Sequence, residues 1–313
     1  MTQRKIKFWR YYKQWYETYK LGDVRDVTYQ KYELTGRWVK KLTPDLMLDQ
    51  MTRTDLQRLI NAYGQTHEKT TVRDFYRHLG AAINDAVYEG WIRKTPCYKI
   101  RITSQVTSEK KIKWLEVDEV KKLEKVFRKD KTGFGDFFDF LLRTGLRFAE
   151  ALGLTPKDID FTNMTIDINK SLNYKPGFQC GQFQPTKNRY SNRIIAIDDR
   201  AAQDLKEHLS GVAENKPIWP AWYAEENGTK VYNSIFNSYL TKMCAQAGVH
   251  RISIHGLRHT HASLLIANRV SVQSVAKRLG HADTETTQRV YIHLLEKLAN
   301  EDNNKIMTVM AGL

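Results

Sequence analysis

Four short segments carry the side chains best suited to chemistry. They are Arg143-Thr-Gly-Leu-Arg147-Phe-Ala-Glu150, Pro185-Thr186-Lys187, Ile254-His255-Gly-Leu-Arg258-His259, and Leu279-Gly-His281 with Tyr291 ten residues further on. Arginines set among histidines suit a phosphate. In-line attack on a phosphodiester builds negative charge on the non-bridging oxygens, and fixed cationic donors stabilise that charge best. A guanidinium presents two hydrogen bonds from one planar fork and does not lose its proton. His255 and Arg258 are three apart, so a helix places them on one face. From there the imidazole could reach any phosphate bonded to Arg258, as a donor or a proton carrier.

Metal chemistry fits these residues poorly. His255 and His259 are four apart on a helix, but Gly256 stands where a metallohydrolase needs glutamate. No cluster of carboxylates adjoins the histidines, as a two-magnesium nuclease would require. Cys97, Cys180 and Cys244 are widely spaced and odd in number, which gives neither a zinc motif nor a disulfide framework. Neither a metal nor a nucleotide cofactor is expected. The net charge of +15, with a pI near 9.5, points to a polyanionic partner, and nucleic acid is the commonest.

Together and in this order, the four segments resemble those of the tyrosine recombinases, the phage-integrase type of site-specific recombinase. The likeness covers nearly the whole chain. It implies that Arg147 and Arg258 clamp the scissile phosphate, with His255 and His281 bonding the same group. It implies Lys187 as the general acid for the departing 5′ oxygen and Tyr291 as the nucleophile, forming a 3′-phosphotyrosyl bond. A phenol has a reference pKa near ~10, so its proton must be removed or its acidity raised by neighbouring cations. Glu150 is expected to support Arg147's helix, and His259 and His261 to be buried structural histidines. Arg189 and Arg193 are expected to contact backbone phosphates. The implied partner is double-stranded DNA at specific sites, bound by a homotetramer spanning two sites. An accessory directionality factor is a further candidate partner. Integration and excision of a prophage or other mobile element is the function implied first. A Xer-like resolvase, a type IB topoisomerase and a catalytically inactive DNA-binding regulator are the alternatives. Only seven residues precede Phe8, so an arm-site-binding domain either lies outside this chain or is not used.

The elements that must position these residues divide in two. The polar stretch 103–113 has the composition of a flexible linker, giving a helical core-type DNA-binding domain over 1–105 and a mixed catalytic domain over 106–313. The first part carries 20 basic and 11 acidic residues, a net of +9, and is the more basic for its length. In it, Phe8, Tyr12, Trp15, Tyr16 and Tyr19 recur at helical spacing, a stripe read as core. Further helices are expected over 28–41, after an N-cap at Thr52 or Thr54, and over 71–89. The second part shows helical patterns over 117–128, 136–143, 201–209, 232–247, 256–267 and 272–279, then one containing Tyr291. Strand patterns at 164–169 and 193–197 predict a small antiparallel sheet of two or three strands, with 184–192 as an exposed hairpin tip. The fold class is therefore mainly α with a small antiparallel β-sheet. No apolar run approaches the ~18 residues of a membrane span, and the N-terminus lacks a signal-peptide core. A cytoplasmic, nucleoid-associated protein of a bacterial host is expected, with no membrane partner.

Overall fold

The computed structural model describes residues 5–107, 113–175, 181–227, 231–285, 287–288, 291, 306–307 and 309–311. The chain forms two compact units, Met1–Lys110 and Lys111–Leu313.

The first unit is built from helices α1 (Phe8–Tyr19), α2 (Asp26–Leu42), α3 (Arg53–Gly64) and α4 (Lys69–Tyr88). The aromatic stripe of α1 is core, as its spacing predicts: Phe8, Tyr12, Trp15 and Tyr16 are buried. Tyr19 is the exception, half exposed and bonded to Glu89. The Trp15 indole N–H donates to Asp85 on α4 at 2.6 Å, so the buried ring keeps its one polar group satisfied. Thr52 caps α3. Its hydroxyl accepts from the Asp55 N–H while the Asp55 carboxylate accepts from the Thr52 N–H, a reciprocal box that closes two open donors. The start of the expected linker is not free. The Gln105 N–H donates to the Gly64 carbonyl at 2.9 Å, the Ser104 hydroxyl donates to the His67 carbonyl, and Val106 bridges to Glu68. Side-chain and backbone bonds to α3 and its C-terminal turn thus hold residues whose composition reads as linker. The stretch 108–112 lies outside the described residues.

The second unit holds α5 (Val117–Phe127), α6 (Phe134–Thr144), α7 (Phe148–Leu152), α8 (Asp199–Glu207), α9 (Ile218–Asn227), α10 (Asn233–Gln246), α11 (Ile254–Ala267) and α12 (Val272–Leu279). Its strands are β1 (Ile159–Asp160), β2 (Thr165–Ile168), β3 (Lys170–Leu172), β4 (Phe183–Pro185) and β5 (Arg193–Ala196). Helix α6 is the axis of the core. Phe134, Phe137, Phe138 and Phe140 are buried against Trp219 of α9 and Phe236 of α10. The expected small antiparallel sheet is present, together with a second, two-stranded one. Strands β1, β2 and β5 form one antiparallel sheet with Ile166 opposite Ile195, while β3 and β4 form a second with Lys170 opposite Pro185. Residues 184–192 therefore run from one sheet to the other through a 3₁₀ turn at Arg189–Ser191, and are not a hairpin tip. Alternation along a strand shows which face is buried, but it does not name the partner strand.

Candidate active site

Arg147 stands at the N-cap of α7, where the chain leaves α6 through Gly145. Gly145 has φ +67°, and a Cβ there would lie 2.5 Å from the His261 ring, so only glycine allows this turn. The Arg147 backbone N–H donates to Glu150 Oε2, and its Nη1 donates to Glu150 Oε1. Nη1 also reaches the Ser191 hydroxyl, and Nη2 donates to the Gly280 carbonyl at 3.1 Å. The support expected of Glu150 is thus a bidentate grip on the arginine that starts its own helix.

Arg258 projects from α11 and is 3% exposed. Its Nη1 donates to the Gly145 carbonyl at 2.6 Å, and its Nη2 donates to the Leu279 carbonyl. Two N–H groups of five are engaged this way, which leaves donors for a ligand. Burial, reinforced by the Arg147 charge and opposed by Glu150, lowers its pKa to about 9, so it remains cationic at neutral pH.

Arg193 departs from expectation. Its side chain is 5% exposed, with Nη2 donating to Glu150 at 3.0 Å, Nε to the Arg278 carbonyl and Nη1 to the Ser191 carbonyl. Its position on β5, opposite Ile168, turns it inward, and it ties the sheet to the end of α12 instead of meeting solvent. Arg189 is exposed and lies over the ring of its neighbour Tyr190. Lys187 is exposed, next to the buried Thr186.

Four histidines and the tyrosine complete the surroundings of the arginines. His255 lies exposed on α11. Desolvation within the cluster, then the charges of Arg258, Arg147, Lys113 and Lys187, lower its pKa. His281 follows Gly280, whose φ is +67° and whose Cβ would lie 2.9 Å from Arg193 Nη1. The His281 Nδ1 pairs with the Thr287 hydroxyl at 2.7 Å, and burial followed by Arg258 and Arg147 lowers its pKa to about 4. Tyr291 is 2% exposed and packs against Ala262, Ile266, Val275 and Leu279 of α11 and α12. Its hydroxyl lies 3.0 Å from Nδ1 of His259, and burial raises its pKa against the pull of Arg258. His261 matches its expected structural role. It is buried, with Nδ1 at 2.8 Å from the Leu142 carbonyl and Nε2 accepting from Arg278 Nε.

The structure thus gathers Arg147, Arg258, His255, His281 and Tyr291 in one cluster, with Lys187 close enough for its charge to reach His255. Burial would raise the pKa of Glu150, yet Arg193 and Arg147, with Arg258 beyond them, outweigh that and lower it. Three guanidiniums around one carboxylate leave the cluster strongly positive. Sequence reasoning missed Arg278, which donates to His261 and to the Arg143 and Ala196 carbonyls, and it missed the contact between His259 and Tyr291. The first had only the signal of an arginine in the last turn of α12. The second had none, because it joins residues 32 apart. Among the described residues no three of His, Cys, Asp or Glu are grouped to hold a metal, and no helix is long and apolar enough to cross a membrane.

A mainly helical chain with a small antiparallel sheet is the fold of the solved tyrosine recombinase integrases. The chain belongs to the Phage integrase family, whose pattern matches residues 113–297, and the Phage integrase SAM-like domain matches residues 6–102. Members of the family are DNA strand-transferring enzymes. The integrase of Staphylococcus phage L54a is 34% identical over 174 residues, which are 52% of this chain and 48% of that protein. The ICEBs1 integrase of Bacillus subtilis (strain 168) is 26% identical over 259 residues, 81% of this chain and 69% of that one. The chain therefore spans about half the length of the phage relative. Among solved structures, the Tn1549 transposon integrase in complex with a circular intermediate DNA matches with a TM-score of 0.77 at 20% identity, over 91% of this chain and 95% of that one. A lambda integrase dimer bound to a COC′ core site matches with a TM-score of 0.68 at 14% identity, over 92% and 78%. At these identities the structural likeness shows a shared fold.

Proposed function

We propose that this protein is a site-specific DNA recombinase that integrates and excises a mobile element, cleaving each strand through a 3′-phosphotyrosyl bond to Tyr291. The observation that carries the reading is the surplus of buried positive charge beside a buried tyrosine, with Glu150 as its counter-charge. A site with more guanidiniums than carboxylates is electrostatically complete only when an anion binds, and a scissile phosphate supplies one. Arg147 and Arg258 hold its non-bridging oxygens, His255 and His281 add donors, and Lys187 protonates the leaving 5′ oxygen. Arg193 acts at one remove, by positioning Glu150 and the turn at Gly280. Arg189 meets the DNA backbone outside the cluster. No step asks for a metal or a nucleotide, because the energy of the broken phosphodiester is kept in the tyrosyl ester.

Residues 1–105 serve grip and site choice in this reading, and 106–313 the chemistry. Four copies act on two DNA sites, because reciprocal exchange needs one tyrosine for each strand cut. An accessory protein that sets direction, and action on bacterial DNA in the cytoplasm, belong to the same proposal. The test is a nicked suicide duplex whose sequence the protein selects from a randomised library. The wild type is expected to give a denaturant-resistant adduct that survives EDTA, and Tyr291→Phe is expected to bind that duplex while giving none. An adduct formed by the Phe variant overturns the assignment of the nucleophile.

A further inference from the structure

The Tyr291 hydroxyl has one hydrogen-bonding partner among the described contacts, and it is a histidine that the motif reading set aside. His259 leaves α11 one residue after Arg258 and brings Nδ1 to 3.0 Å from the phenolic oxygen. Its ring also meets His255 edge to face, at 4.7 Å between centroids. Both histidines line an open pocket of about 680 Å³ together with Lys113, His250, Arg251 and Ser253. One side of the His259 imidazole therefore touches the tyrosine, and the ring as a whole borders an opening.

We propose that His259 is the proton acceptor for Tyr291 in the strand-cleavage step, with His255 left to bond the phosphate. The inference rests on the function proposed above. As Tyr291 Oη forms its bond to phosphorus, the phenolic proton passes to His259 Nδ1 and yields an imidazolium. The bond from phosphorus to the 5′ oxygen breaks, its electron pair stays on that oxygen, and Lys187 supplies the proton there. On rejoining, the 5′ hydroxyl gives its proton to the neutral Lys187 amine and attacks phosphorus, the tyrosyl ester breaks, and His259 returns its proton to Tyr291. Atoms and charge balance in both directions without a further reactant.

The charge environment suits an acceptor that begins neutral. Burial, then His255 and Lys113, and then Arg258 and His281, lower the His259 pKa to about 4, so Nδ1 holds a free lone pair at neutral pH. Those titratable and charged groups face it from α11, from the segment before α5 and from the turn after α12, and Tyr291 faces it through its hydroxyl. The tyrosine is held in its protonated form by burial, so its O–H donates to that lone pair. A bound phosphate brings negative charge to the same cluster and so favours the imidazolium when it forms.

The test measures single-turnover adduct formation on the nicked suicide duplex, from acid to alkaline pH, for the wild type and for His259→Gln, His259→Ala and His255→Gln. Glutamine can hold the tyrosine by a hydrogen bond but cannot carry its proton away. His259→Gln is expected to be slower by about 10²–10⁴-fold, the usual loss for a general base. Its rate should climb with pH beyond the wild-type plateau, and added imidazole should restore part of the His259→Ala rate. Replacing Tyr291 with a more acidic fluorinated tyrosine should shrink the His259→Gln defect, a readout that a misfolded variant cannot give. His259→Gln cleaving within threefold of the wild type overturns the proposal, as does a defect that neither pH nor the fluorinated tyrosine changes. If the wild-type adduct requires Tyr291 in either of those cases, the recombinase reading stands and this inference alone falls. If no Tyr291-dependent adduct forms at all, both fall.

Discussion

Two buried ionic clusters in the second unit balance their charge in opposite ways. Around Glu150 one carboxylate faces Arg147, Arg193 and Arg258, and the surplus is positive. Between α6 and α8 the surplus is negative. Arg143 engages Glu124, Asp139 and Asp198, Arg200 reaches Asp139 and Asp204, and His208 pairs with Asp136. There part of the excess is removed within the fold. Asp204 is fully buried with neither oxygen hydrogen-bonded, and desolvation, then Asp139, raise its pKa to about 8 against the pull of Arg200, so it is mostly protonated at neutral pH. An acid can discard its charge by taking a proton, whereas a guanidinium keeps its charge. A cluster of arginines must therefore find an anion from outside, and a cluster of aspartates need not.

The contrast is broken most directly at its anions. Glu150→Gln leaves three guanidiniums with no counter-charge, and breaking such a buried pair costs about 3–5 kcal/mol. Urea unfolding of the variant should show a loss of that size, and a wild-type midpoint would mean that Glu150 does not anchor the cluster. Next come the cations. Arg258→Ala and Arg147→Ala should each slow cleavage by about two to three orders of magnitude, or roughly 2.7–4 kcal/mol of transition-state stabilisation. Lysine at 258 should rescue little, because one ammonium cannot span the Gly145 and Leu279 carbonyls and a phosphate as a planar fork does. Single-turnover rates under conditions where circular dichroism shows a folded chain check this, and an unaffected rate removes that arginine from the site.

The last prediction concerns the acidic cluster and shows itself only as pH changes. The folded-state pKa of Asp204 is raised above its ordinary 3.8, so its contribution to stability is complete below that value and is lost as pH rises through about 8. Asp204→Asn cannot ionise and should flatten that decline by on the order of 1 kcal/mol or more. Urea midpoints compared across this window decide the matter. A decline equal in wild type and variant would place the proton on another member of the cluster.

Much of the fold was legible because it is local. The stripe of α1, the cap at Thr52 and the three-residue step from Arg147 to Glu150 are written in spacing, and the structure uses each of them. The features that were not legible depend on distant parts of the chain. Arg193 reads as a phosphate-contacting cation at the start of a strand until β5 pairs with β2 and the end of α12 arrives beside it. The pairing of β3 with β4 could not be told from a hairpin of β4 with β5. His259 reads as one more buried imidazole until the fold brings the Tyr291 hydroxyl to its Nδ1.

Arg258 has a consequence for relatives that lose activity. Its side chain rivets the turn after α6 to the turn after α12 through the Gly145 and Leu279 carbonyls, whether or not DNA is cut. A descendant that sheds its tyrosine and survives as a silent DNA-binding protein still has this structural use for the arginine. The arginine would therefore outlast the chemistry as a relic. A genome search that takes its presence as proof of a working recombinase will count the dead with the living, and the tyrosine and its histidine partner are the better evidence of life.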